Sequence, residues 1–223
     1  MVAIFVLSLF ILMLSIDLLV LKTQGKSHPA FETIPSEIDV SPVPQNLFAV
    51  PSDVLLSNGH TWVKLNKEGL LNVGVDAFGN SALGDLSIIG CPENGIELTR
   101  GDVIFEGTYG NKKVKFLSPV SGIVESINSS VIGKKLFNPY NEWAVKILPK
   151  EGNLHVKGFL TGNNASNWMK KEFIKLKNFL ESNSQETAIV GATMYDGGSL
   201  SKDVHIVLSD KSVTDFEKEF LSL

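Results

Sequence analysis

Two apolar runs folded about a glycine-led dipeptide constrain this chain more than any other feature. Residues 103–109 read Val103-Ile104-Phe105-Glu106-Gly107-Thr108-Tyr109, and residues 112–117 read Lys112-Lys113-Val114-Lys115-Phe116-Leu117, with Gly110-Asn111 between them. A two-residue loop of this type needs positive φ, which glycine adopts without steric cost, and it joins antiparallel strands. Folding about it predicts Phe105 opposite Phe116, Gly107 opposite Val114 and Tyr109 opposite Lys112 on one face. Glu106 then meets Lys115, and Thr108 meets Lys113, on the other. An aromatic pair and an opposite-charge pair fall into register together, whereas a slip of one residue would push charge into the apolar face. Ser118-Pro119-Val120-Ser121-Gly122 ends the ladder and turns the chain.

The same texture surrounds the hairpin. Between residues 54 and 148, short apolar runs at 61–65, 70–75, 86–89, 103–105 and 144–148 alternate with Gly, Asn and Pro turns, the signature of an all-β sandwich or barrel. With 223 residues, 43% of them hydrophobic, the chain has material for one or two packed domains.

Residues 1–21 read differently: Asp17 is their only charge, and Ser8 and Ser15 their only other polar side chains. A run of roughly 20 apolar residues spans a bilayer core as a helix, so this segment is expected to be a transmembrane anchor. No Lys or Arg precedes it and no small-x-small site follows, which separates it from a cleaved secretory signal. Lys22 and Lys26 on its C-terminal side place the soluble part in the cytoplasm by the positive-inside tendency. Residues 22–48 carry Pro29, Pro35, Pro42 and Pro44 without sustained periodicity and read as a flexible stalk.

Residues 49–150 form the β-rich domain on this reading, and residues 151–223 a small α/β appendage. In the appendage, Trp168, Phe173, Leu176 and Phe179 share one helical face over residues 166–180. Lys170, Lys171, Lys175 and Lys177 form a solvated face opposite, and Ser166 is placed as N-cap. Runs at 188–190 and 204–208 read as strands, and residues 213–221 as a short helix.

A net charge of -4 excludes a general nucleic-acid binder, whose affinity rests on many Lys and Arg contacts to phosphate. The single cysteine, Cys91, excludes an intramolecular disulfide and reads as a buried, inert thiol. His28, His60, His155 and His205 lack metal-ligand spacing, and no metal is expected. Asp76, Asp85, Glu93 and Glu97 adjoin glycines or helix starts and read as caps; His60 reads as a packing or hydrogen-bonding residue. Neither a nucleophile elbow nor a phosphate-binding loop occurs, so the chain is not expected to be an enzyme.

The order of Gly59-His60-Thr61-Trp62-Val63, Val73-Gly74-Val75-Asp76-Ala77-Phe78-Gly79, Leu83-Gly84-Asp85, Pro92-Glu93-Asn94-Gly95, Ser118-Pro119-Val120-Ser121-Gly122, Asn138-Pro139-Tyr140 and Trp143-Ala144-Val145-Lys146-Ile147 resembles the glycine cleavage system H protein family over about residues 54–150. The resemblance implies a mainly β barrel-sandwich hybrid, the fold of lipoyl and biotinyl carrier domains. It also implies a lysine at the hairpin tip that carries lipoate as an amide and ferries an aminomethyl group between partner enzymes. The segment from Gly101 to Ser118 has the family's length, and the attachment position falls on Asn111, whose amide nitrogen is delocalised and cannot replace an amine. Thr108 and Lys115 stand where the family has acids.

These residues lead to a membrane-anchored, non-lipoylated, H-protein-like binding or accessory module. It would dock to partner proteins of a membrane-associated assembly through a hairpin surface around Tyr109, Gly110 and Lys115, without a cofactor. The alternative is a lipoyl-dependent aminomethyl carrier of the glycine cleavage system, with lipoate on Lys112 or Lys113.

Overall fold

The computed structural model describes residues 48–150, 158–183 and 204–223. Among these described residues nine strands form two sheets: β1 (Leu55–Leu56), β2 (Thr61–Leu65), β3 (Leu71–Val75), β4 (Leu86–Gly90), β5 (Glu97–Leu98), β6 (Val103–Tyr109), β7 (Lys112–Leu117), β8 (Gly122–Ile127) and β9 (Val145–Pro149). The larger sheet runs β1-β2-β3-β9-β8-β5 and the smaller β4-β6-β7. The expected mainly β architecture is therefore present. All named pairings are antiparallel, so short turns suffice to join neighbours.

Period-two patterning decides which side of each strand is buried. Along β7, Val114 and Phe116 are buried while Lys113 and Lys115 are exposed. In the larger sheet Trp62 pairs with Gly74, and the indole lies where a Cβ on Gly74 would stand, 2.7 Å from the nearest ring carbons. Its Nε1–H donates to the Val75 carbonyl at 2.9 Å and to the Pro139 carbonyl at 2.8 Å, which fixes the 139–143 loop over that face.

Between the sheets comes helix α1 (Ala77–Ser81), whose N-cap is Asp76; its Oδ1 accepts from the Gly79 N–H at 2.8 Å. The capping role expected of Asp76 is the observed one, and Phe78 enters the core. Three further helices follow: α2 (Gly162–Asn183), α3 (Val204–Val207) and α4 (Asp210–Phe220). Ser166 lies inside α2 rather than capping it. Burial of Ala165 and Met169 together with Phe173 and Leu176 extends the helix one turn further back, overriding the weak propensity of Asn163 and Asn164.

The run beginning at Val204, expected as a strand, is a single helical turn. Val204 and Leu208 are buried at its two ends, and the His205 N–H donates to the Leu83 carbonyl at 3.0 Å rather than to a neighbouring strand. The last helix is found, shifted to start at Asp210 with Ser209 as N-cap. These helices join the β-rich part through phenylalanine: Phe78 meets Phe173 at 5.0 Å and Phe220 at 5.4 Å, and Phe179 meets Phe220 at 5.6 Å between ring centroids. One hydrophobic cluster runs from Val54 to Leu221. The lysine face of α2 is not wholly solvated, since Lys175 Nζ lies 4.3 Å over the Phe220 ring and donates to the Glu219 carbonyl at 2.8 Å.

The expected anchor at residues 1–21, nearly all of the expected stalk, and the expected strand at 188–190 lie outside the described residues. Phe48, the last residue assigned to the stalk, packs edge-on against Phe173. Among the described residues, no helix is long and apolar enough to cross a membrane.

Candidate functional site

The hairpin of β6 and β7 forms in the expected register: Phe105 opposite Phe116, Glu106 opposite Lys115, Gly107 opposite Val114, Thr108 opposite Lys113, and Tyr109 opposite Lys112. Gly110 takes φ +57 at the turn, as a two-residue loop of this kind demands, and Asn111 is exposed beside it. The position that the resemblance assigns to the lipoyl-bearing lysine is thus a solvent-facing asparagine at the apex.

Tyr109, expected on the docking surface, is instead buried. Alternation turns its side chain into the core with Phe105 and Gly107, and its hydroxyl donates to the Gly79 carbonyl. Burial, with a smaller contribution from the Asp76 carboxylate, holds its phenol far above the usual range. Gly110 and Lys115 remain at the surface, where the chain itself partly covers them. A Cβ on Gly110 would overlap the His205 ring of α3, and Lys115 donates its backbone N–H to Glu217 Oε1 of α4 at 2.7 Å. Among the described residues β7 is an edge strand, and Glu217 satisfies a ladder donor that no strand there reaches.

The two candidate lysines differ. Lys112 Nζ lies 2.6 Å from Asp210 Oδ1 and its side chain is only 15% exposed. The ammonium holds the Asp210 carboxyl below the usual carboxylate range. Lys113 points to the opposite face and is exposed. With Thr108, Glu106 and Lys115 it forms the outer face of the small sheet. At the open end of the hairpin, Gly90, Cys91, Pro92 and Val103 through Glu106 line an open cavity of about 290 Å3. Cys91 is half-buried there, and burial pushes its thiol up to about 11, which fits the inert role expected of it.

The residues that grip the hairpin, His205, Asp210 and Glu217, were not legible in sequence. Their contacts to β7 cross about a hundred positions, 98 from Lys112 to Asp210 and 102 from Lys115 to Glu217, with no motif at either end.

Comparison with known proteins gives relatives that are glycine cleavage system H proteins. A probable glycine cleavage system H protein of Pyrococcus horikoshii is 27% identical over 126 residues, covering 55% of this chain and 94% of its own. One from Thermococcus gammatolerans is 30% identical over 105 residues, covering 46% of this chain and 78% of its own. Among solved structures, a glycine cleavage system H protein from Mycobacterium marinum aligns with 53% of this chain and 98% of its own, at 21% identity and a TM-score of 0.46. Residues 54–173, more than half of the sequence, match the glycine cleavage H-protein family, and the chain belongs to that family.

Proposed function

We propose that this chain is a protein-docking member of the H-protein family whose hairpin works without a lipoyl arm. Asn111 carries the reading: at the apex, where acylation needs an amine, the side chain is an amide. The nearest amine does not replace it, because Lys112 is tucked against Asp210. The residues at the apex therefore do not fit an amide-linked lipoate. The α3–α4 segment, which lies beyond the family match, covers one flank of β7 and leaves the outer sheet face with Thr108, Lys113 and Lys115 for a partner protein. Such a role needs no catalytic residue. The apolar run at residues 1–21 and the lysines after it support a membrane-anchored form with its soluble part in the cytoplasm, as an accessory subunit of a membrane-associated assembly.

A second reading is a lipoyl-dependent aminomethyl carrier, and family membership supports it more directly than the first. It requires lipoate on Lys113, or on Lys112 after release from Asp210. Intact mass of the protein isolated from its native cells separates the two. The docking reading expects no lipoyl adduct, and expects partner proteins to co-purify from solubilised membranes; an adduct on either lysine promotes the carrier.

A further inference from the structure

His60 precedes β2 with φ 56, a left-handed conformation rare for a residue with a side chain. Its ring is fully buried. Nδ1 lies 2.9 Å from Asp76 Oδ2, and since an ionised carboxylate can only accept, Nδ1 donates. The other nitrogen, Nε2, has no hydrogen-bond partner among the described residues and faces Glu172 Oε2 of α2 at 3.6 Å. Phe78 stacks on the ring at 3.9 Å and Trp168 of α2 at 4.8 Å between centroids.

A neutral ring that donates from Nδ1 presents a bare lone pair at Nε2, and here that lone pair, on a fully buried ring, would face a carboxylate oxygen 3.6 Å away. Two acceptors opposed in this way repel, and burial magnifies the cost. We infer that His60 is held as an imidazolium whose second proton ties the barrel to α2, the cation standing between Asp76 and Glu172 with an aromatic face on either side. This inference is independent of whether the hairpin carries lipoate.

Stacking on Phe78 and Trp168 favours a cation over a neutral ring. Burial opposes the charge, but the Asp76 and Glu172 carboxylates outweigh it and keep the His60 titration above the ordinary value of 6.5. Among the described residues, Asp76 and Glu172 are the charged groups that meet the ring. From α1 comes Asp76 and from α2 Glu172; Tyr109 and Tyr140, which feel the Asp76 carboxylate, stay neutral because burial raises their phenols. The C-terminal residues reach neighbouring Gly59 with the Leu221 carbonyl and a Leu223 methyl.

The consequence extends beyond one contact. The helix that supplies Trp168 and Glu172 also holds α4, through Phe179 against Phe216 and Phe220 and through Lys175 on Glu219, and α4 covers the hairpin edge. Loss of one proton from the barrel interior thus loosens α2 first and the hairpin cover after it.

The test is an imidazole nitrogen-15 spectrum of the full chain across pH, combined with hydrogen exchange. The expected result is a His60 ring with both nitrogens protonated at pH 7, titrating above the ordinary histidine range. Glu172→Gln, which keeps the shape of the side chain, should lower that titration by at least tenfold in proton affinity. It should also speed amide exchange in both Gly162–Asn183 and Asp210–Phe220. A neutral His60 ring at pH 7, or a titration and exchange pattern unchanged by Glu172→Gln, overturns the inference.

Discussion

Lys112 and Asp210, 98 positions apart, meet with Nζ 2.6 Å from Oδ1, and through them the hairpin is bound to the last helix of the chain. Asp210 is 95% exposed, so water screens this pair strongly. The hold of α4 on the β-sheets must come from its phenylalanines. Phe216 is fully buried and stacks on Phe220 at 5.1 Å. Phe216→Ala should therefore cost about 3–5 kcal/mol. Asp210→Ala should leave the urea midpoint close to that of the parent. Equilibrium unfolding of the two variants side by side checks the ranking.

Gly110 is held both by its own turn and by the His205 ring against it. Gly110→Ala adds a methyl group into that ring and places a side chain at φ +57. Adding His205→Ala removes the clash and not the backbone strain, so the double variant should recover part of the loss and retain a deficit of roughly 1–3 kcal/mol. A double-mutant cycle in denaturant measures the coupling.

In the larger sheet, Gly74→Ala would push a methyl group into the Trp62 indole, 2.7 Å from two ring carbons. The indole cannot retreat without giving up its bonds to Val75 and Pro139. The expected cost is about 1–3 kcal/mol, with Trp62 emission shifted as its environment opens.

Asp76→Asn keeps an oxygen to cap α1 but removes the charge that His60 faces. Breaking one side of a buried ionic contact costs roughly 3–5 kcal/mol. The pH dependence has a definite sign. The folded-state value of His60 is raised, so its contribution is complete below the ordinary value of 6.5 and is lost as pH rises through the higher folded value. Parent stability should therefore fall as pH rises above 6.5, and Asp76→Asn should flatten that limb. Urea titrations at a series of pH values supply the curve.

Cys91 supplies a chemical check on burial at the open end of the hairpin. With its thiol pushed up to about 11, alkylation of the folded protein at pH 8 should run about a hundredfold slower than that of a free cysteine. Unfolding in urea should abolish the difference.

The hairpin was readable residue by residue because its information is local. Phe105, Glu106, Lys115 and Phe116 have a single register that pairs ring with ring and acid with base, and Gly110-Asn111 marks the turn. Asp76 was readable as a cap for the same reason. Tyr109 was misplaced on the surface, although its alternation with Phe105 and Gly107 points inward. The aromatic side chain at a hairpin end suggested docking where the core had claimed it. Val204 through Leu208 failed as a strand because β-branched residues favour a pleat only where a neighbouring strand offers a ladder, and the His205 N–H bonds the Leu83 carbonyl instead. Nothing near Glu172, Asp210 or Glu217 announces that these acids reach His60, Lys112 and the Lys115 N–H. Those contacts exist only after α2 and α4 have packed, and packing between distant segments leaves no periodic trace.

Trp168 lies with its indole 4.8 Å from the His60 ring, at 24° to it. An excited indole is quenched by an adjacent imidazolium and far less by a neutral imidazole, so this tryptophan reads its neighbour by light. With Trp62 and Trp143 silenced by substitution, brightening on alkalinisation would follow the hidden proton in real time.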